Sequence, residues 1–378
     1  MTQHLQLGEI APSFVAPCIG GRREFCFDTM AGRHIVMLFY GSSSRPSCAE
    51  ALETVERHRD LFDDMRASFF GVSVDVKDRD EKRVQQSLPG LRHFLDAERA
   101  ISRKYGVMFP SPKGEVHRPC WMLFDPMLRL VNYWLLEEGE VVMAHLRALL
   151  DSGAPQLAAP VLMIPRVLEP DLCRRLIEYY QQGDPTDSGY MVQRDGKTVG
   201  VIDYGHKRRY DCHIEDSGLR EIVAERIQRS IVPMIKRAYQ FDATRIERWI
   251  VCCYDAEVGG YFRAHRDNTT SGTAHRKFAC TINLNADEFE GGGLRFPEFG
   301  RTVYRPDTGG AVLFSCSLLH EALPVMQGRR YAFLPFFYDD AAAELRLSKN
   351  AELGDNVSHY RGGKAKVEEH SKEVEALS

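Results

Sequence analysis

The stretch Gly260-Tyr-Phe-Arg-Ala-His265-Arg-Asp267-Asn268 organises the reading of everything around it. On a strand, side chains two apart project to the same face, so His265 and Asp267 can reach one ion. A third ligand must come from elsewhere. His320 is the candidate, 53 residues beyond Asp267 and just past the apolar run Ala311-Val-Leu-Phe314. Two imidazoles and one carboxylate on one side of a ferrous ion leave three coordination positions open, which suits an iron that binds a co-substrate and dioxygen together. A chelating 2-oxo acid would fill two of them and need a charged partner for its distant carboxylate. Arg330, ten residues after His320, offers a bidentate fork for it. Arg329 is the alternative if the register slips by one, but on a regular strand it faces the other way. Taken singly, an HxD pair reads as two surface residues, His320 as a structural histidine and Arg330 as a salt-bridge arginine. The ordered set is the signal.

Outward from this stretch the chain reads as β. Residues 249–254, 279–285, 311–314 and 330–338 are strand-length and rich in β-branched and aromatic residues, with glycine clusters between them. Val325-Met-Gln-Gly328 reads as the turn that leads into the last of these. Before them lie two helix patterns, Pro170 to about Gln182 and Arg220 to Tyr239. Helices followed by antiparallel strands predict an α+β sandwich or barrel.

Residues 249–338 also resemble the Fe(II)/2-oxoglutarate-dependent dioxygenases of the prolyl-4-hydroxylase type. The resemblance rests on Cys253-Tyr254, Gly260–Asn268, Thr281-Ile-Asn-Leu-Asn285, Phe289-Glu-Gly-Gly-Gly-Leu294-Arg-Phe296, and His320-Glu-Ala-Leu-Pro-Val325 running into Gly328-Arg-Arg330-Tyr. It implies a double-stranded β-helix (jelly roll) with Fe(II) on His265, Asp267 and His320. It implies further that Arg330 salt-bridges 2-oxoglutarate and that Tyr254 donates a hydrogen bond to it; read by itself, Tyr254 is equally an ordinary core tyrosine. The implied cofactors are Fe(II), 2-oxoglutarate and O2, with ascorbate a candidate fourth. Two positions depart from the family pattern. The glutamate of Gly-Gly-Glu-Leu is missing at Gly292-Gly293-Leu294, and Ile282 stands where some relatives carry a second co-substrate tyrosine.

Upstream, Ile35–Tyr40, Phe69–Val74, Cys120–Phe124 and Leu128–Leu135 are strand candidates, with helix patterns from Cys48 to about Phe62 and from Glu140 to Leu150. This alternation predicts βαβ units and a mixed α/β sheet. Gly8-Glu-Ile-Ala-Pro12-Ser-Phe14, Val36–Tyr40, Gly71-Val-Ser-Val-Asp75, Leu95-Asp96, Tyr105-Gly-Val107 and Arg118-Pro-Cys-Trp-Met-Leu-Phe-Asp125 resemble the peroxiredoxins, a thioredoxin-like family, in order and spacing. The resemblance makes Cys48 the peroxidatic thiol and Arg118 its arginine, with hydrogen peroxide or an organic peroxide as substrate. A helix N-terminus and a cation both favour a thiolate. The signature is broken, because the proline seven residues before the cysteine and the hydroxyl three before it are replaced by Gly41 and Arg45. Cys120 and Cys18 are the candidates for a resolving thiol.

The 378 residues hold 49 lysines and arginines against 53 aspartates and glutamates, a net charge of −4, which argues against a chain built to neutralise nucleic-acid phosphates. The start has no basic segment followed by an apolar one, and no apolar run approaches membrane-spanning length, so a cytoplasmic protein without a membrane partner is expected. Ten cysteines without CxxC spacing read as free thiols. The expected organisation is a thioredoxin-like domain over 1–152, a linker over 153–160, the dioxygenase domain over 161–340 and a charged, flexible tail over 341–378. Met191 to Arg209 is the expected lid, and its basic run His206-Lys-Arg-Arg209 is expected as a solvated loop. The leading expectation is a dioxygenase that hydroxylates a peptide (peptidyl proline) or an amino-acid-like small molecule. The alternative is a thiol peroxidase or redox sensor acting through Cys48.

Overall fold

The computed structural model describes residues 5–112, 114–153 and 157–362. The chain separates into two compact units. One runs to Ala158 and includes Pro297–Thr302; the other holds Ala159–Phe296 and the chain from Val303.

The first unit is built on a five-stranded mixed sheet. Strands β1 (His34–Gly41), β2 (Ala67–Ser73) and β3 (Leu91–Leu95) are parallel, and β4 (Cys120–Phe124) and β5 (Leu130–Leu135) run antiparallel, in the order β3-β2-β1-β4-β5. The central strands are continuous apolar runs because both their faces are covered. Helix α1 (Pro46–Arg57) starts with proline in its first turn, where a missing N–H costs nothing. Cys48 and Val55 of α1 share a core with Val36 and Leu38 of β1 and with Val142 and Leu146 of α2 (Gly139–Ser152). This is the expected thioredoxin-like α/β arrangement.

The second unit has a helical layer over two sheets. Its helices are α3 (Pro170–Gln182), α4 (Ser217–Ser230) and α5 (Val232–Tyr239). The longer sheet is built around β6 (Tyr210–His213), β7 (Ile250–Asp255), β9 (Phe278–Asn283), β10 (Ala311–Ser315) and β12 (Val325–Phe333). The shorter holds β8 (Tyr261–His265) and β11 (His320–Ala322). The longer runs in the order Leu162–Ile164, β10, β9, β12, β7, β6, Thr186–Asp187; the shorter runs Lys207–Arg208, β8, β11, Leu294–Arg295, Val303–Tyr304. Alternation along the longer sheet sorts its side chains. Val251, Ile282 and Tyr331 join Leu176 and Val223 in the core against the helices, whereas Tyr254, Thr281 and Arg330 line a cavity bounded by both sheets. This is the sheet-rich double-stranded β-helix that the sequence predicts.

Four expectations need correction. The helix expected over 220–239 is two helices that break at Ile231, because Pro233 starts a new first turn instead of continuing the old helix. Val325–Gly328 is strand rather than turn; it pairs with Phe289–Gly291, and the reversal falls before it. The strand expected over 330–338 is interrupted at Leu334-Pro335 and resumes as Phe336–Tyr338. The tail expected from 341 opens with helix α6 (Asp340–Ser348), whose Ala342 and Ala343 bury against Tyr338. Residues 363–378 of that tail lie outside the described residues. So do 154–156 of the expected linker, while Ala159 is already buried, its N–H donating to Tyr304 Oη at 2.8 Å.

Candidate metal centre and co-substrate pocket

β8 and β11 lie side by side with His265 opposite His320, and β8 ends at His265. Asp267 follows just beyond the strand, its backbone N–H bonded to Cys316 O at 3.0 Å. Candidate ligand atoms of the three side chains all lie within 4.8 Å of one another. Asp267 Oδ1 is 3.5 Å from His265 Nε2, and Oδ2 is 3.3 Å from His320 Nε2.

Each imidazole is oriented through its other nitrogen. His265 Nδ1 donates to Arg263 O at 2.8 Å and His320 Nδ1 to Leu318 O at 3.0 Å. A carbonyl only accepts, so Nδ1 carries the proton in both rings and Nε2 keeps its lone pair for a metal. Phe262 stacks on His265 with ring centroids 3.5 Å apart, and Phe314 lies 4.5 Å from His320. Burial, helped by the charge of His320, pushes the His265 pKa down to about 4. Burial works the other way on Asp267, but the facing imidazoles outweigh it and hold the carboxyl well below its ordinary range. A neutral His265 and an ionised Asp267 are protonation states that a metal site requires. The donor set fits a ferrous ion.

The cavity next to this set opens to solvent and is lined by Arg209, Arg248, Tyr254, Thr281 and Arg330 besides the three candidate ligands. Arg330 is 2% exposed. Its Nε donates to Asn283 Oδ1 at 3.1 Å and its guanidinium lies 5.3 Å over the Tyr254 ring, yet among the described residues no carboxylate pairs with it. A buried cation without a counter-ion is costly, and among the described residues none supplies that charge, so the cavity offers a place for an anion. Burial accordingly pushes the Arg330 pKa down. Arg329 points elsewhere and pairs with Asp255 at 2.7 Å, which removes the alternative register. Tyr254 is buried beside Arg330, and its hydroxyl accepts from Arg209 Nη1 at 3.4 Å, leaving its own proton to give.

Three cavity features escape the sequence reading. The basic run at 206–209 is not a solvated loop. Lys207 and Arg209 are buried, and Arg209 Nη2 bonds Asp211 Oδ2 at 2.7 Å and Ser188 Oγ at 3.0 Å. Its signal was the alternation Lys207, Arg209, Asp211, which puts two cations and an acid on one face. The residue beside Arg330 is Asn283, since Ile282 faces the helical core. Arg248 lines the cavity with no local signal in the sequence. Of the expected lid, Tyr190–Arg194 and Lys197–Val201 form a β-hairpin.

In the first unit Cys48 does sit in the first turn of α1. It is 0% exposed, its Sγ lies 3.0 Å from Tyr40 O, and burial pushes its pKa up against the pull of Arg45. Arg118 stacks over Phe109 at 5.0 Å. Cys18 and Cys120, the candidate resolving thiols, are both buried, with pKa values pushed up by burial to about 12.

Comparison with known proteins agrees with this division. Residues 7–132 match the AhpC/TSA family and residues 249–338 the 2OG-Fe(II) oxygenase superfamily. The chain joins the two. It carries a peroxiredoxin-like region followed by a 2OG-Fe(II) oxygenase region, whose family cofactors are Fe(II), 2-oxoglutarate and O2. Among curated relatives, a rat multifunctional procollagen lysine hydroxylase and glycosyltransferase LH3 is 24% identical over 227 residues, 58% of this chain and 28% of the relative. A mouse procollagen-lysine,2-oxoglutarate 5-dioxygenase 2 is 28% identical over 132 residues, 33% of this chain and 17% of the relative. The chain thus spans under a third of the length of these relatives. Solved structures similar to it include a Trichoplax adhaerens prolyl hydroxylase in complex with a hypoxia inducible factor peptide fragment (TM-score 0.39, 18% identity, 49% of this chain and 86% of that one). Another is the Mycobacterium tuberculosis peroxidoxin BcpB (TM-score 0.33, 18% identity, 39% and 99%). No helix among the described residues is long and apolar enough to cross a membrane.

Proposed function

We propose that the protein is an Fe(II)- and 2-oxoglutarate-dependent dioxygenase that hydroxylates a C–H bond of a peptide or an amino-acid-like small molecule. One observation carries the reading: a buried arginine with no carboxylate partner among the described residues, Arg330, shares a cavity with an oriented His-Asp-His set. His265, Asp267 and His320 would hold the metal. Iron bound there would supply dioxygen activation, coupling decarboxylation of 2-oxoglutarate to succinate and carbon dioxide with insertion of one oxygen atom into a C–H bond.

The chain's own residues do the rest. Arg330 takes the distal carboxylate of the co-substrate through its free guanidinium nitrogens, while Asn283 fixes Nε and the Tyr254 ring supports the plane. Tyr254 adds a hydrogen bond from its hydroxyl, which Arg209 orients by donating to the oxygen. Leu318 O and Arg263 O hold the proton on Nδ1 and turn Nε2 of each ring toward the metal. Phe262, Phe314 and Leu294 wall the cavity with apolar surface that limits water at the reacting centre.

The thiol-peroxidase alternative has less support. Cys48 is enclosed, its pKa is raised rather than lowered, and Arg118 is engaged with Phe109. The deciding experiment is succinate formation from 2-oxoglutarate by anaerobically reconstituted Fe(II) protein once oxygen is admitted. Succinate is expected from the native chain and none from His320→Ala. Equal signals from both, or none from either, would reject the reading.

A further inference from the structure

Arg330 is not the only arginine lining the cavity; Arg209 and Arg248 line it too. The pair arrives from different segments, Arg209 from beside β6 and Arg248 from the residues just before β7. Both converge on one carboxylate: Asp211 Oδ2 accepts from Arg209 Nη2 at 2.7 Å and from Arg248 Nη2 at 3.2 Å. Two guanidinium groups share one carboxylate, so the cluster carries a net positive charge even if Arg330 is reserved for the co-substrate. Lys207, behind them, is held by Ser188 Oγ at 2.7 Å and Gly189 O at 2.6 Å, and adds no negative charge. Arg209 is 4% exposed, and its Nε finds no partner among the described residues.

Arg248 differs from the other two. Its side chain is 27% exposed, and the bond to Asp211 is the one hydrogen bond of its guanidinium among the described residues. Its backbone has a φ of +71°, the left-handed region that an arginine enters only at a cost. The guanidinium lies 5.5 Å over the Phe336 ring, a flat support that presents its edge. A stacked plane and unused donors on a solvent-reachable cavity wall suit a carboxylate anchor.

We propose that Arg248, steadied by Asp211 and Arg209, binds a carboxylate of the substrate to be hydroxylated, so that the enzyme selects acidic substrates. This rests on the dioxygenase reading and names the substrate class for the same cavity. The carboxylate has two possible sources, a chain terminus or an acidic side chain next to the target residue.

The test uses the full chain with Mn(II) and 2-oxoglutarate under nitrogen, so that the co-substrate occupies Arg330. Calorimetry compares N-acetyl-proline with N-acetyl-prolinamide, and N-acetyl-Pro-Glu-amide with N-acetyl-Pro-Gln-amide. The first pair isolates a terminal carboxylate and the second an acidic side chain. In one pair or both, the acid is expected to bind at least about tenfold tighter, the scale of a charged hydrogen bond. Arg248→Gln should erase the preference and Arg248→Lys keep part of it. Arg330→Gln should weaken 2-oxoglutarate binding. Equal binding of acid and amide in both pairs of the native protein overturns the proposal, as does a preference that survives Arg248→Gln. Failure of 2-oxoglutarate itself to bind would instead count against the dioxygenase reading.

Discussion

At Arg330 the physical argument is one of unpaired charge. Its guanidinium is buried against Tyr254 and tied at Nε to Asn283, which leaves the terminal nitrogens for an external carboxylate. A charge-assisted hydrogen bond contributes about 1.5–3 kcal/mol, so Arg330→Ala should raise the 2-oxoglutarate concentration for half-maximal succinate formation by roughly ten- to a hundredfold. Arg330→Lys keeps the charge and loses the fork, and should fall between. Unchanged co-substrate dependence in Arg330→Ala would show that the anion site lies elsewhere. Cys48 yields the opposite expectation. A thiol shielded by packing, with a raised pKa, should react with hydrogen peroxide no faster than an unactivated cysteine, as followed by sulfenic-acid trapping. Rapid trapping that disappears in Cys48→Ser would restore the peroxidase reading. The metal set was legible because its residue types and spacing are local and specific. Arg209 was not: its burial depends on Ser188, Asp211 and Tyr254, which only the folded chain brings together.

Among the elements, β12 does most to position the site, because it carries Arg330 and pairs with both β7 and β9. Its course depends on Gly328, which has a φ of +75° and whose added Cβ would stand 2.3 Å from Glu288 O. Gly328→Ala therefore combines a left-handed alanine with a backbone clash. It should cost at least about 2 kcal/mol, a fall of roughly 4–8 °C in the melting temperature of a unit this size. A melt that matches the native one would show that the strand tolerates the shift. The same strand illustrates why its sequence was only partly readable. Its apolar half, Arg330–Phe333, announces itself, but Val325–Gly328 carries exposed Met326 and Gln327 and reads as a turn until Phe289–Gly291 is seen beside it. The breaks at Pro233 and Pro335 had a local signal and needed only the rule that proline donates no hydrogen bond.

Across the whole molecule, acid should act first through buried histidines and then, in the second unit, through buried carboxylates. The first unit buries neutral histidines: burial alone pushes His93 down to about 4, and burial with the charge of Arg45 does the same to His117. A histidine whose folded pKa lies below its ordinary 6.5 binds fewer protons folded than unfolded between those values. Stability is therefore lost as pH falls from about 6.5 to about 4, with His93 alone contributing on the order of 3 kcal/mol. The second unit buries His265 in the same way, and it also relies on buried carboxylates. Burial opposes ionisation of Glu247, but Arg276 and His275 outweigh it and hold the group well below its ordinary 4.5. Asp211 is likewise held low by Arg209 and Arg248. Their contribution is present above the ordinary carboxylate range and is lost only as pH falls through their depressed folded values, a window below that of the histidines. Tryptophan fluorescence of a Trp249→Phe chain can follow this, because the two remaining tryptophans, Trp121 and Trp134, lie in the first unit's core. Urea midpoints read from these residues at pH 7, 6, 5 and 4.5 should fall steadily, and His93→Gln should flatten the decline. A midpoint independent of pH down to 4.5, or a decline that His93→Gln leaves untouched, would show that the buried histidines do not set the acid response of the first unit.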